Sequence, residues 1–165
     1  MPVPNGEKAF SLQQVYQVIE SVCRAHVSVA HFDSGTESEF GNNKEYSYPL
    51  AYLEEILLIQ EGEQKRTHTY DVALNICDQL PKNCSREKRI EIQDGCFRTF
   101  LDISQYLTDY AFGSARVFPF TVAVTPDFGN DDTMRIRAEF RIQVGSPFTT
   151  RTPRTDLKAL FPTLP

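Results

Sequence analysis

Apolar residues recur at three- and four-residue spacing through residues 10–25, at Leu12, Val15, Tyr16, Val18, Ile19, Val22 and Cys23. That is the period of a helix with one buried face, and Ser11 stands where a cap would accept a free amide of the first turn. The spacing therefore predicts an amphipathic helix over 10–25. Residues 26–32 (HVSVAHF) alternate and are rich in valine, which predicts a strand. The stretch 33–43 holds two glycines, two asparagines and three acidic residues and predicts a loop. It is longer than most connections, which makes it a candidate for work beyond connection.

Residues 45–60 predict a long strand, with Pro49 tolerated at an edge or a bulge. A turn over 61–66 follows, and residues 67–80 alternate again, with Tyr70, Val72, Leu74 and Ile76 on one face. The two strands read as an antiparallel hairpin. Ser85 is placed to cap a helix running to residue 110, with an apolar stripe through Ile90, Gln93, Phe97, Phe100, Leu101, Ser104 and Leu107. Gly95 interrupts this helix at a cost of about 1 kcal/mol relative to Ala. Two more strands, 115–125 and 133–144, flank the turn Pro-Asp-Phe-Gly-Asn-Asp. Strand mostly follows strand, so the fold class is α+β: a mainly antiparallel sheet of about five strands with two helices packed on one face.

The run Ile56-Leu57-Leu58-Ile59 departs from alternation and has no polar face. Helices can cover one side of such a strand, but the other side needs a second cover, from the same chain or from another subunit.

At 165 residues, with 41% hydrophobic and 24% charged positions, the chain is of a size to form one domain with a sizeable core. Residues 1–145 form that domain, and residues 146–165, with their prolines and arginines, form an extended C-terminal arm. No stretch approaches the ~18 apolar residues of a membrane span, and the amino terminus lacks the apolar centre of a signal peptide. No membrane contact is expected. A net charge of −5 argues against a surface that grips phosphates. The charge is unevenly spread: residues 1–133 carry 11 Lys+Arg against 20 Asp+Glu, and residues 134–165 carry 6 against 2. An acidic body with a basic end suits head-to-tail contact between copies.

Cys23, Cys77, Cys84 and Cys96 lack the close pairing that zinc requires and are expected to be reduced thiols. His26 and His31, five apart on a predicted strand, point to opposite faces. No Gly-x-Ser-x-Gly elbow and no phosphate-cradling glycine pattern occurs. Asp127, Gly129, Asp131 and Asp132 read as a polar turn and not as a calcium loop. Asp102 and Asp109 could share acid–base work only if another element faced them. The chain is thus expected to have no cofactor, no metal and no enzymatic activity.

Phe40-Gly41, then Tyr48-Pro49-Leu50-Ala51-Tyr52-Leu53, then Tyr70-Asp71-Val72-Ala73-Leu74-Asn75-Ile76, a long helix and a final hairpin together form a pattern over residues 10–145. This pattern resembles the tail-completion or tail-terminator proteins of tailed bacteriophages, most of all those from phages of Bacteroides-type hosts, including the crAss-like group. The resemblance implies a tail-terminator-like fold and a subunit made in the bacterial host cytoplasm and built into the virion. It implies a homo-oligomeric ring, a hexamer or dodecamer, at the neck or head–tail junction. Neighbouring neck, portal or tail proteins would contact it, and genome DNA would pass through without specific binding. Residues 33–43 and 62–67 become candidate contact loops, and residues 45–60 a candidate inter-subunit strand. Phe40, Ile56, Leu57, Leu58 and Ile59 would lie at the oligomer interface. The arm would add Arg151, Arg154, Leu157, Leu160 and Phe161, docking on a neighbouring subunit or an adjoining virion protein. The arm itself departs from the family pattern. A small adaptor that binds a partner peptide by strand addition is the alternative.

Overall fold

The computed structural model describes residues 10–40, 45–57, 59–61, 67–111, 116–117, 121–126 and 132–145. Helix α1 spans Leu12–Ala25 and starts with a reciprocal capping box. Ser11 Oγ accepts from Gln14 N, and Gln14 Oε1 accepts from Ser11 N. Val15, Ile19 and Cys23 form its buried stripe. Helix α2 spans Arg86–Tyr106, is capped by Ser85, and passes into a π-helical turn over Leu107–Ala111.

Among the described residues seven strand segments build one sheet: β1 (His31–Gly35), β2 (Leu50–Glu54), β3 (Ile59–Glu61), β4 (Thr67–Gln79), β5 (Arg116–Val117), β6 (Thr121–Pro126) and β7 (Thr133–Gly145). They occupy five positions across it. Strands β2 and β3 both lie beside β4, β7 lies on the other side of β4, β5 and β6 lie beyond β7, and β1 lies beyond β2. The fold is α+β. All pairs are antiparallel except β1 with β2, which is parallel. Parallel pairing needs a connection of a dozen or more residues, and residues 36–49 supply it. The length of that loop is thus a requirement of topology.

The thirteen-residue β4 and β7 run in register from Thr67↔Gly145 to Gln79↔Thr133 and form the spine of the sheet. Tyr70, Val72, Leu74 and Ile76 of β4 and Ile136, Ala138, Phe140, Ile142 and Val144 of β7 project to one face. There they meet Val15, Ile19, Cys96, Phe100, Ile103 and Leu107 of the helical layer.

Three expected boundaries move. The strand expected over 26–32 starts at His31, because His26 ends α1, its N–H bonding Cys23 O, and 27–30 form a turn. The long strand over 45–60 is broken: β2 ends at Glu54 and β3 begins at Ile59. In α2 the residues that face the sheet are Cys96, Thr99, Phe100, Ile103 and Ser104, while Ile90, Phe97 and Leu101 are exposed. This helix carries two apolar stripes about a third of a turn apart. Which of them meets the sheet is set by how the helix lies on it.

Two glycines matter. A methyl group on Gly35, the last residue of β1, would lie 2.6 Å from Glu39 Oε2 and 2.7 Å from the Tyr52 hydroxyl, so only glycine fits without displacing one of them. Gly95, mid-way along α2, has nothing within 4 Å of such a methyl. Gly95→Ala is therefore expected to stabilise the protein by ~0.5–1 kcal/mol, because it removes backbone freedom from the unfolded chain. Thermal melting checks this, and a lower melting temperature in the variant would contradict it.

Candidate functional site

Alternation places Arg135, Arg137, Glu139 and Arg141 of β7 on the face of the sheet opposite the helices. Tyr52 and Glu54 of β2 and Asp71 and Asn75 of β4 lie on that same face. Its two halves differ in what covers them.

Over one half, residues 36–40 and 45–49 fold back. Phe40, Tyr46 and Tyr48 pack with Leu50, Tyr52 and Cys77 as a second, smaller core. Phe40 meets the Tyr52 ring edge-on at 4.6 Å, and the Tyr52 hydroxyl donates to Thr36 O at 2.9 Å. The Tyr46 hydroxyl donates to Asp33 at 3.0 Å. Burial first, then the Asp33 carboxylate that accepts its proton, push the Tyr46 phenol well above its ordinary range. Residues Leu50–Glu54 are consequently buried throughout. The second cover over Leu50–Glu54 comes from its own chain, and both edges of β2 are paired, with β1 and with β4.

The other half is polar and open. Arg137 binds Glu54 with two parallel bonds, Nε to Oε1 at 2.7 Å and Nη2 to Oε2 at 2.8 Å, and it also donates to Glu139. Asn75 Nδ2 donates to Glu54 Oε1 at 2.9 Å and to Tyr52 O at 3.3 Å. Burial alone would raise the Glu54 carboxyl, but the bonds from Arg137 and Asn75 outweigh it and hold the group below the usual carboxylate range. Arg141 Nε bonds Asp71 Oδ1 at 2.9 Å, whereas Arg135 is buried in the covered half beside the Phe40 ring, its Nη1 3.4 Å from Glu37 Oε1. An open cleft of about 500 Å³ runs along the Arg137 and Arg141 pairs, bounded by Glu55, Leu57, Asp71, Thr121, Arg137 and Arg141 among others.

The pairing revises the electrostatic picture. Three of the six cations in the basic end of the sequence lie on a central strand, where they meet acids of the same molecule. Each is paired with an acid of its own molecule: Arg135 with Glu37, Arg137 with Glu54 and Glu139, and Arg141 with Asp71.

The apolar run splits. Ile56 is buried, its N–H donating to the Tyr16 hydroxyl at 2.6 Å. Phe40 is buried as well, so neither it nor Ile56 presents its side chain to a second copy. Leu57 is 86% exposed at the rim of the cleft and Ile59 is 46% exposed on β3. No described strand pairs with the outer edge of β3. On the far side of the sheet β6 is a second outer strand, with Val124 exposed. Leu58, residues 41–43, the turn 62–66, Asp127, Gly129 and Asp131, and the arm with Arg151, Arg154, Leu157, Leu160 and Phe161 lie outside the described residues.

All four cysteines are free thiols; Cys23, Cys77 and Cys96 are buried, and burial pushes Cys23 and Cys96 up to about 12. The three buried thiols are poor nucleophiles. His26 does not share a strand with His31; it faces Asp102 of α2 at 3.5 Å and accepts from Ser28 N through Nδ1. With Nδ1 occupied by a backbone amide and Nε2 turned to Asp102, the ring has no nitrogen left to activate a nucleophile. Among the described residues no three His, Cys, Asp or Glu side chains are placed to hold a metal ion. Among them, too, no helix is long and apolar enough to cross a membrane. No family model and no curated protein matches the chain.

Proposed function

We propose that this chain is a structural subunit that joins copies of itself edge to edge in a ring, as a tail-completion or tail-terminator protein does at a phage neck. One observation carries the reading: among the described residues the sheet has two outer edges on opposite sides, each showing apolar side chains. Leu57 and Ile59 stand at the β3 side, and Val124 stands on β6. Two different surfaces on opposite sides of a subunit make a heterologous contact, and heterologous contacts close into rings when the rotation between subunits is right. Strand β6 (TVAVTP) also has no charged residue to discourage a strand from pairing with it. The sequence resemblance supplies the location at the head–tail junction. The negative net charge suits a ring through which DNA slides, since lysines that neutralise phosphates would add affinity where none is wanted.

An open edge also fits a peptide added as a strand, the adaptor reading. Mass separates the two. Light scattering and negative-stain imaging of the protein, alone and with the products of adjacent genes, are expected to show closed rings of many times 18.8 kDa. A species that stays at 18.8 kDa under all these conditions would overturn the ring and leave the adaptor.

A further inference from the structure

The helical layer holds a second cavity, unconnected with the sheet edges. It is a groove of about 480 Å³ between the end of α1 and the last turns of α2, with Val22, Ala25, Val27, Ile103 and Tyr106 in its lining and the Asp102 carboxylate among them. Its size falls within the ~300–1,000 Å³ of ordinary binding pockets. Val27 is 99% exposed, a large apolar side chain standing free at the groove. The lining is mostly apolar, with Ser21, His26 and one acid, the 70% exposed Asp102 that His26 faces from one side at 3.5 Å, a surface that suits apolar side chains accompanied by a cation.

The chain contains such a segment. In residues 155–161 (TDLKALF) Leu157, Leu160 and Phe161 fall at i, i+3 and i+4, with Lys158 among them and Thr155 placed as a cap. A single turn of this kind is marginal in isolation and needs a surface to fold against. The arm carries Arg151, Arg154 and Lys158 against one acid, Asp156, so it complements Asp102 in charge. Its root is also well placed. Strand β7 ends at Gly145, whose carbonyl accepts from Phe10 N at 3.1 Å, immediately before α1. From there the groove lies the length of α1 away, 14 residues or ~21 Å at ~1.5 Å per residue. The eleven residues 146–156 span up to ~36 Å when extended. Reach is therefore ample, and Pro147 and Pro153 reduce the freedom lost on docking.

We infer that residues 155–161 dock into the α1–α2 groove of their own chain, with Leu157, Leu160 and Phe161 on its apolar lining and Lys158 toward Asp102. Attachment favours the same molecule over a second copy, because a short tether holds the segment at an effective concentration on the order of millimolar. This inference does not depend on the ring.

The test uses the full chain carrying Phe161→p-benzoylphenylalanine, a photoreactive side chain, irradiated as a mixture of isotopically heavy and light protein. Mass spectrometry is expected to find cross-links to peptides containing residues 21–27 or 102–106, heavy joined to heavy and light to light. Adding Val27→Lys should lower that yield about tenfold, as a ~1.4 kcal/mol loss would. Melting of the domain should change little, because among the described residues Val27 is 99% exposed. Cross-links elsewhere, mixed heavy–light pairs at the groove, no cross-link, or a yield indifferent to Val27→Lys would each overturn the assignment.

Discussion

Replacing Arg137 with Met is expected to destabilise the domain by about 3 kcal/mol, a drop in melting temperature of roughly 6–12 °C for a chain of this length. The loss is large because of what remains. Glu54, whose side chain is 11% exposed, would keep its charge with only Asn75 to bond it. The low end of the usual range applies because Arg137 itself is 25% exposed and water reaches one side of the pair. The effect must also depend on pH. Glu54 has a folded-state pKa below its unfolded value near 4.3, so its contribution is fully present above that value and fades as pH falls through the lower, folded one. The gap between wild type and variant is therefore widest at neutral pH and closes in acid. A double change, Arg137→Met with Glu54→Leu, should recover most of the stability, since a packed apolar pair is often as good as a partly buried ionic one. Denaturant melts at pH 7 and pH 3 check all three statements. An unchanged melting temperature for Arg137→Met would mean that the pair is screened and contributes nothing.

The second large effect falls on association and spares the fold. Leu57→Asp together with Ile59→Asp should leave a folded chain, because both side chains already meet solvent and surface substitutions of this kind shift stability by about 0.5 kcal/mol or less each. Any assembled species should collapse to 18.8 kDa, because two carboxylates would be trapped in an apolar contact. Light scattering gives the mass, and circular dichroism reports the fold. Rings that form as well as in wild type would show that the β3 edge is not the contact. Insoluble protein would show that Leu57 and Ile59 are core after all.

The same four-residue run shows where reading the chain alone stops. Its lack of a polar face was visible, and the need for two covers followed from it. That the run divides into a buried Ile56 and an exposed Leu57 was not visible, because the division depends on Tyr16, forty positions away, accepting the Ile56 amide. In α2 the apolar residues were plain, but the stripe of Ile90, Phe97 and Leu101 and the stripe of Cys96, Phe100 and Ile103 look equally fit to be buried. Likewise, β7 was legible as a strand over 133–144, but its charged positions carry no sign of their partners. They did not announce that Arg137 would meet Glu54, 83 positions earlier, since that needs the register of three strands.

Sequence by itself determined the capped α1, the core face of β4 and the α+β class. Each of these is a periodicity within one element, set by backbone geometry over a few residues. Only the tertiary structure decided that residues 36–40 and 45–49 cover β2, that the arginines of β7 meet acids of the same molecule, that His26 faces Asp102, and that Leu57 and Ile59 are exposed among the described residues. Those outcomes are contacts between elements distant in the chain, and a local period carries no information about which distant surface will arrive to meet it.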